Sequence, residues 1–247
     1  MLIPALNPRV NHIMKIPTLL LATWLVQPLF ADPSGDAALI RSLLAEKLSE
    51  RTFAFTDVVQ ATAGKNVIAL DRSDAAHLRI IRAIEDALTK AMPTLSQSDS
   101  PVRKLRRINE ASRFFEDALM SSINATAGLR CEIPPTKQGV AQRSGYPDLR
   151  ITDVATGVVA YLDPKLVEAT SLKSTLRTFY FEPKDETLKI NNDAIHLLCG
   201  IEHDGKDGEW TFSQFHLVDL SSLRVRLKAE FQASNADLYE KNAPNKK

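Results

Sequence analysis

The sequence predicts an α/β (α+β) protein in which a mixed central sheet is flanked by helices. Apolar residues recur at helical spacing through much of residues 36–124, whereas short β-branched and aromatic runs separated by turns dominate after residue 148. A helical region followed by a series of strands is typical of an α+β layout. With 247 residues, 44% of them hydrophobic and 25% charged, the chain can bury a core of ordinary size.

Two helices are predicted in the N-terminal part of the chain. One covers residues 36–50, and the next runs from Ser73, as its N-cap, to Met92. Between them, Asn66–Leu70 fits either a short strand or a loop. The segment PTLSQSDS, residues 93–100, has the composition of a linker.

A longer helix is predicted from Ser100-Pro101, with serine as the cap and proline in the first turn, to Asn124. The later pattern predicts strands at 129–133, 148–151, 158–162, 178–181, 195–202 and 210–220, then a closing helix at 223–239. A tight turn joins the strands at 148–151 and 158–162 into a hairpin. We therefore divide the chain into residues 1–31, a helical region 32–100, a core 101–240 and a tail 241–247.

The first 31 residues have the layout of a secretory signal peptide. Lys15 precedes an apolar run, Ile16 to Phe30, which ends at the small residue Ala31 before a polar segment. A signal peptide here predicts a periplasmic or secreted protein. The alternative is a buried N-terminal helix in a cytoplasmic protein.

Charge and cysteine content exclude some classes of protein. The 31 lysines and arginines balance 30 aspartates and glutamates, so the chain is not a polycation that coats nucleic acid indiscriminately. Cys131 and Cys199 have neither C-x-x-C nor zinc-ribbon spacing. They either pair in an oxidising compartment or lie buried as small apolar residues.

Three charged residues are expected to meet at the open end of the predicted hairpin. Asp148 begins its first strand and Asp163 ends its second, while Lys165 points to the same side as Asp163 in extended backbone. Neighbouring carboxylates repel unless a proton or a cation lies between them, and oxygen ligands suit Mg²⁺ or Mn²⁺. With a lysine beside it, such an ion can assist phosphodiester hydrolysis. The alternative is a surface turn with an ordinary salt bridge.

The arrangement P-D, a hairpin and then D-P-K resembles the PD-(D/E)xK nuclease superfamily, whose core is restriction-endonuclease-like. The resemblance covers about residues 101–235, and the run from GYPDL to LKAEFQASNADLY looks most like type II restriction endonucleases. Pro164, inside the D-x-K triplet, departs from the usual pattern. Its missing N–H is tolerated at an edge or a bulge of a sheet.

The resemblance implies roles for the residues that match the motif. Asp148 and Asp163 would hold Mg²⁺ or Mn²⁺, the backbone carbonyl of Pro164 would be a further ligand, and Lys165 would be the catalytic lysine. The superfamily often adds a glutamate from the helix before the sheet.

Glu116 fits that additional role, because it lies at the edge of the apolar stripe of the helix predicted from residue 101. Glu110, on the same predicted helix, is a weaker candidate. For both residues the alternative is an ordinary solvated helix glutamate.

Basic residues near the motif are candidates for contacts with DNA phosphates. Arg143 lies just before the motif, and Lys173 and Arg177 lie just after it. Arg103 and Arg106 belong to a second basic cluster at the start of the helix predicted from residue 101. Solvated surface is the alternative for that cluster.

These observations predict a metal-dependent endonuclease that hydrolyses DNA phosphodiester bonds. The resemblance adds a homodimer as the form in which many such enzymes cut both strands. A second hypothesis is a catalytically inactive, exported binding or assembly module on the same fold, which need not bind a metal. A third is a cytoplasmic restriction enzyme whose N-terminus only mimics a signal peptide.

Overall fold

The structure, a computed structural model, describes residues 33–175, 179–228 and 230–240. Its helices are α1 (Pro33–Ala45), α2 (Phe55–Ala63), α3 (Ala75–Leu95) and α4 (Ser112–Asn124). Its strands are β1 (Thr52–Ala54), β2 (Val67–Ile68), β3 (Leu129–Glu132), β4 (Leu149–Asp153), β5 (Val159–Glu168), β6 (Ala194–His203), β7 (Phe212–Asp219) and β8 (Arg224–Arg226). The signal peptide predicted at 1–31 and the tail at 241–247 lie outside the described residues, so both stay predictions.

The chain divides into two compact units, Met1–Glu46 and Lys47–Lys247. The described part of the first unit is α1, which corresponds to the helix predicted over 36–50. Leu39 and Leu44 on this helix are exposed. Within the described ranges, no helix has the length and apolar character that crossing a bilayer requires.

A mixed sheet with the strand order β2-β6-β5-β4-β3 forms the centre of the second unit, and β7 also pairs with β6. β5 is antiparallel to β4 and parallel to β6, while β2 runs parallel to β6. The predicted α+β fold, with a mixed central sheet flanked by helices, is confirmed. The hairpin of β4 and β5, the strand β3 and the antiparallel pair β6–β7 all occur where the sequence predicts strands.

Helices α3 and α4 cover one face of this sheet and build the larger apolar core. Asp74 caps α3 by accepting hydrogen bonds from the N–H groups of Ala76 and His77, in place of the predicted cap Ser73. The core packs aliphatic side chains of α3 against both α4 and the strands, including the fully buried Ile80, Ile84, Leu88, Phe115, Leu119, Leu149, Ile151, Leu162 and Leu197. Each such side chain stabilises the fold by about 1.5–3 kcal/mol relative to exposure.

The opposite face of the sheet is covered by α2 and by loops, and its core is aromatic. The ring of Phe55 lies edge-on to the rings of Tyr146, Phe179 and Phe181, at centroid distances of 5.9, 5.4 and 5.8 Å. The sequence analysis did not predict α2, because a helix of 9 residues that buries only Phe55 and Val59 has little periodicity to detect.

The helix predicted from residue 101 is wrong over its first part, since α4 begins only at Ser112. Two 3-10 segments precede it, at Pro101–Lys104 and Ile108–Ala111. Leu105 and Arg107, between these segments, are extended. The break allows the fully buried Val102 to reach the core, a tertiary contact that overrides helical periodicity.

The strand predicted at 178–181 is wrong over its described part, residues 179–181, which belong to no strand. Phe179 and Phe181 instead pack on the ring of Phe55. Strand propensity reflects the packing of aromatic side chains on a half-buried surface, and these two residues achieve that packing without pairing in a sheet.

The closing helix predicted at 223–239 is also wrong. Its first residues form β8, which pairs antiparallel with β1 through Phe53 and Val225. Only Ala236–Glu240 forms a helical turn, of the π type. Pairing with β1 provides hydrogen-bond partners for the backbone of β8. The periodicity of a short segment cannot indicate a partner strand so distant in the sequence.

Candidate active site

The β4–β5 hairpin sets the positions of Asp148, Asp163 and Lys165. Leu149, the first residue of β4, pairs with Leu162 of β5. Asp148 immediately precedes β4, and Asp163 follows Leu162 in β5, so the two aspartates lie at the same end of the hairpin. Lys165 Nζ lies 2.8 Å from Asp163 Oδ2 and 3.4 Å from Asp148 Oδ2. The structure therefore brings the three charged residues together.

Alternation along β5 directs Asp163 and Lys165 away from the core under α3 and α4. Leu162 packs into that core, whereas Tyr161 belongs to the aromatic core on the opposite face. Residues two apart on a strand share a face, so Asp163 and Lys165 lie on the same face as Tyr161. The pairing with β4 ends at Leu162, which leaves Pro164 outside that ladder.

Asp163 is a deeply buried carboxyl group, with only 3% of the residue exposed. Burial, reinforced by the charge of Asp148, raises the pKa of Asp163 to about 8 against the opposing effect of Lys165. The ion pair with Lys165 is not aligned as a hydrogen bond, so Asp163 Oδ2 has no hydrogen-bond donor among the described residues. Lys165 supplies one cation beside this oxygen, whose lone pairs remain free to accept a further ligand.

Lys165 remains a cation in this arrangement. Its burial disfavours the charged form, but the Asp163 and Asp148 carboxylates outweigh that effect and raise the pKa of Lys165. The Lys165 ammonium also donates a hydrogen bond to Asp148. The site thus carries a positive charge between two acids even before any other group binds.

Glu116 projects from α4 toward the same charges and is 7% exposed. Burial, together with Asp148, raises the pKa of Glu116 despite the opposing charge of Arg143. Arg143 donates from Nη1 to Glu116 Oε2 and from Nη2 to Asp117 Oδ1, both at 2.6 Å. The residue predicted to contact phosphate is therefore ion-paired with the residue predicted to be an additional metal ligand.

Sequence reasoning missed Lys189, which is fully buried beside the acidic cluster. Its ammonium donates to the carbonyls of Gln142 and Arg143, at 3.3 Å each. Burial lowers the pKa of Lys189, and the charges of Asp148, Glu116 and Asp163 oppose that shift. Its neighbours Leu188 and Ile190 are apolar and also buried, but a lysine between two such residues is ordinarily solvent-facing, so the sequence carried no signal for it.

Tyr146 forms an aromatic wall of the site, and the buried His196 is its hydrogen-bond partner. The Tyr146 hydroxyl and His196 Nδ1 are hydrogen-bonded at 2.9 Å, and both residues are buried. Burial lowers the pKa of His196 to about 4, so its ring is neutral near pH 7. Burial, followed by the charges of Asp163 and Asp148, raises the pKa of Tyr146 well above its usual value. Tyr146, which lines the cleft, therefore presents a neutral phenol to the acidic cluster.

A cleft of about 470 Å³ opens onto these groups. Gly145 shapes its rim: at φ +87° it lies so close to Thr187 that a Cβ there would stand 2.0 Å from the Thr187 carbonyl oxygen. The residues that line the cleft are Arg143, Ser144, Gly145, Tyr146, Asp148, Asp163, Lys165, Tyr180, Glu182 and Thr187.

A second cavity, of about 390 Å³, lies over β3 and β4. There Arg130 and Arg150 are both ion-paired with Glu132. Two arginines therefore share a single acid in that cavity, whereas the first cleft brings two aspartates against one lysine, which makes it the stronger candidate for a metal site.

The remaining predicted residues lie apart from the acidic cluster or outside the described ranges. Arg103 Nη2 donates a hydrogen bond to the carbonyl of Ser96, the C-cap residue of α3, at 2.7 Å. The guanidinium of Arg103 therefore lies at the C-terminal end of α3. Arg106, Glu110 and Lys173 are exposed, and Arg177 lies outside the described residues.

The acidic residues fit a divalent cation only in part. Among the residues that the structure describes, no three histidine, cysteine, aspartate or glutamate side chains are gathered as a ready metal-binding cluster. The reason is that Arg143 engages Glu116, while Lys165 lies against Asp148 and Asp163. The orphaned Asp163 Oδ2 and its acidic neighbour nevertheless supply the hard oxygen donors that suit Mg²⁺ or Mn²⁺. The two aspartates fit such an ion, and Glu116 fits it only once Arg143 has moved.

Comparison with known proteins relates this site to a family. A model of the type II restriction enzyme MjaV family matches residues 47–242. The chain is also 27% identical over 217 residues to the type II restriction enzyme MjaV of Methanocaldococcus jannaschii, which covers 83% of this chain and 91% of that enzyme. The range matched by the family model contains strands β1 to β8 and the acidic cluster.

Proposed function

The chain belongs to the type II restriction enzyme MjaV family, and on that premise we propose that it is a metal-dependent DNA endonuclease of the PD-(D/E)xK superfamily. Its substrate is double-stranded DNA, and the bond that it hydrolyses is a phosphodiester. Asp148, Asp163 and Lys165 form the active site, with Glu116 and the Pro164 carbonyl as additional metal ligands.

The proposal gives each residue a chemical task. A bound Mg²⁺ or Mn²⁺ would supply an activated water and neutralise charge on the phosphate. Asp148 and Asp163 would hold that ion, in a site that the burial of Asp163 partly shields from water. The Lys165 ammonium, which pairs with both carboxylates in the structure, would turn to a phosphate oxygen or to the attacking water when the ion takes its place. Arg143, at the rim of the cleft, contacts the DNA backbone.

One observation carries the proposal. In a chain of this family, a buried carboxyl oxygen without a hydrogen-bond donor lies 2.8 Å from a lysine, next to a second aspartate, in an open cleft. A purely structural ion pair has no need of the second acid, because that acid raises the free energy of the buried charge. A site that accepts a divalent cation explains both acids.

DNA cleavage is the experiment that tests this function. The purified chain is incubated with plasmid and linear DNA in Mg²⁺, Mn²⁺ or EDTA, beside the shape-matched variants Asp163→Asn and Lys165→Met. We expect cutting that requires metal and is lost in both variants. Discrete fragments would add sequence specificity.

Arg82→Gln serves as the matched control, because Arg82 is an exposed arginine on α3, the helix that covers the opposite face of the sheet. It should cut DNA as the unchanged chain does. Failure of the unchanged chain to cut any DNA with any metal, together with no calorimetric sign of metal binding, would contradict the proposal and favour the non-catalytic binding module.

A further inference from the structure

The ion pair between Arg143 and Glu116 joins two residues to which the proposed mechanism gives separate tasks. Arg143 is the proposed phosphate contact and Glu116 is the proposed additional metal ligand. In the structure, however, the two side chains form an ion pair with each other. We propose that Arg143 exchanges partners when DNA binds: its guanidinium leaves Glu116 for a phosphate, and Glu116 becomes free to hold the metal. This inference rests on the proposed nuclease function and adds a coupling between DNA binding and metal binding.

The position of Arg143 suits such an exchange. Its side chain is 46% exposed and lines the cleft, and its second partner, Asp117, is 53% exposed. The pair with Asp117 is solvent-exposed on both sides, and ion pairs of that kind contribute little to stability. A phosphate accepts two parallel hydrogen bonds from a guanidinium and can therefore replace the two separate carboxylate contacts.

The backbone of Arg143 is held in place while the side chain is exposed. Buried Lys189 donates to the carbonyl of Arg143 and to that of Gln142, and the Gln142 side chain donates to the Glu186 carbonyl at 2.8 Å. These hydrogen bonds fix the backbone of the loop that carries Arg143. The exchange requires rotation of the Arg143 side chain and no displacement of this loop.

Glu116 has a reason to accept a cation once Arg143 leaves. Its side chain is only 10% exposed, and Arg143 is its ion-pair partner. Without Arg143, Glu116 would be a buried acid that has lost this cation, an arrangement that needs a proton or another cation. A divalent ion shared with Asp148 and Asp163 meets that need and gives the metal a third carboxylate.

Thermodynamic linkage makes the exchange measurable. If DNA releases Glu116 to the metal, then DNA tightens metal binding, and the metal tightens DNA binding by the same factor. Removing the arginine should release Glu116 permanently. The metal would then bind more tightly without any DNA.

Calorimetric titration of the full chain with Mn²⁺ in the absence of DNA tests this prediction. We expect Arg143→Gln to tighten Mn²⁺ binding by on the order of fivefold. Loss of a positive charge would also favour a cation, so the same substitution is made in a Glu116→Gln background. There Arg143→Gln should tighten Mn²⁺ binding much less, because only the effect of the lost charge remains. An equal gain in both backgrounds would assign the effect to charge alone and overturn the exchange.

The DNA side of the exchange is measured by fluorescence anisotropy, with a random-sequence duplex in EDTA so that no cleavage occurs. Arg143→Gln should weaken binding, whereas Arg82→Gln, which removes the same charge on the other face of the sheet, should not. Equal binding by the two variants would also overturn the exchange. Thermal melting of each variant confirms that it is folded, and Arg143→Lys, which keeps the charge without the fork, should restore only part of the DNA affinity.

The inference and the proposed function fail in different ways. An unchanged chain that neither binds Mn²⁺ nor cuts DNA would overturn both. An unchanged chain that binds Mn²⁺ and cuts DNA, with a Mn²⁺ affinity that Arg143→Gln leaves unaltered, would overturn the exchange alone.

Discussion

The two faces of the central sheet bury different chemistry, although one strand serves both. On β5, Leu162 is fully buried among aliphatic side chains under α3 and α4, while Asp163, the next residue, is 3% exposed on the cleft side. The first burial removes apolar surface from water and stabilises the fold. The burial of Asp163 desolvates a carboxyl group and thereby destabilises the fold. Because side chains alternate along β5, a residue that stabilises the fold and a candidate site residue are neighbours in the chain but lie on opposite faces of the sheet.

The largest effects are expected from substituting Asp163 and Leu162, which should change different properties of the protein. Asp163→Asn should reduce DNA cleavage by at least about a hundredfold. The free energy of unfolding should stay equal or rise, because burial disfavours the Asp163 carboxylate and Lys165 keeps Asp148 as a partner. Leu162→Ala should do the reverse, lowering the free energy of unfolding by about 2–5 kcal/mol while the folded fraction keeps cutting. Urea denaturation in EDTA and plasmid cleavage are measured on the same preparations.

A loss of more than about 1 kcal/mol in Asp163→Asn would contradict this comparison, because it would give the cleft face a stabilising role. Equal cleavage by Asp163→Asn and the unchanged chain would contradict the site itself.

The next effect concerns His196, which belongs to the cleft face. Burial lowers its pKa in the folded protein to about 4, below the ordinary value of 6.5. The unfolded chain therefore binds more protons between these two pH values. The stability that His196 contributes is complete above about pH 6.5 and is lost as the pH falls toward about 4. The difference corresponds to about 3 kcal/mol.

Urea denaturation at pH 7 and pH 4.5 measures this contribution. His196→Gln should lose less stability between the two pH values than the unchanged chain. The same loss in both proteins would show that His196 is not the group responsible.

A smaller effect is expected at the rim of the cleft. Gly145 and Gly139 both have positive φ, +87° and +80°, but only a Cβ on Gly145 would collide with another residue, at 2.0 Å from the Thr187 carbonyl oxygen. Gly139→Ala should cost about 1 kcal/mol from the left-handed backbone alone. Gly145→Ala should cost more than about 2 kcal/mol and should also lower cleavage, because it displaces the loop that carries Tyr146. Equal melting temperatures of the two variants would contradict the close packing at Gly145.

The smallest effect is expected on the face covered by α3 and α4, where both cysteines are free and buried. Burial raises the pKa of Cys131, aided by Glu132, and of Cys199 to about 12. Neither thiol should react with iodoacetamide at pH 8 in the native protein, and both should react in urea. Mass spectrometry counts the adducts, and rapid labelling of the native chain would contradict the tight packing of this face.

The three residues of the hairpin could be predicted from the sequence because their geometry is local. A short turn and a strand period of two are sufficient to bring Asp148, Asp163 and Lys165 to one point. The sequence could not show that Arg143 meets Glu116, since that contact joins a loop to a helix across 27 positions. Nor could it show the burial of Lys189, because a lysine between two apolar residues is ordinarily solvent-facing.

The same distinction explains the fold. β4, β5, β6 and β7 have strong local patterns and were predicted. The 3-10 segments before α4 and the pairing of β8 with β1 depend on contacts that are distant in the sequence. Periodicity reports which side of an element is apolar, but it does not report the partner that covers it.

The position of a bound metal tests the central claim most directly. A crystal of the chain grown with Mn²⁺ would locate the ion by its anomalous scattering. We expect one peak between the carboxylates of Asp148 and Asp163, with the Lys165 ammonium moved away from both acids. A well-ordered site in which Lys165 still bridges the two aspartates and no peak lies beside them would contradict the account.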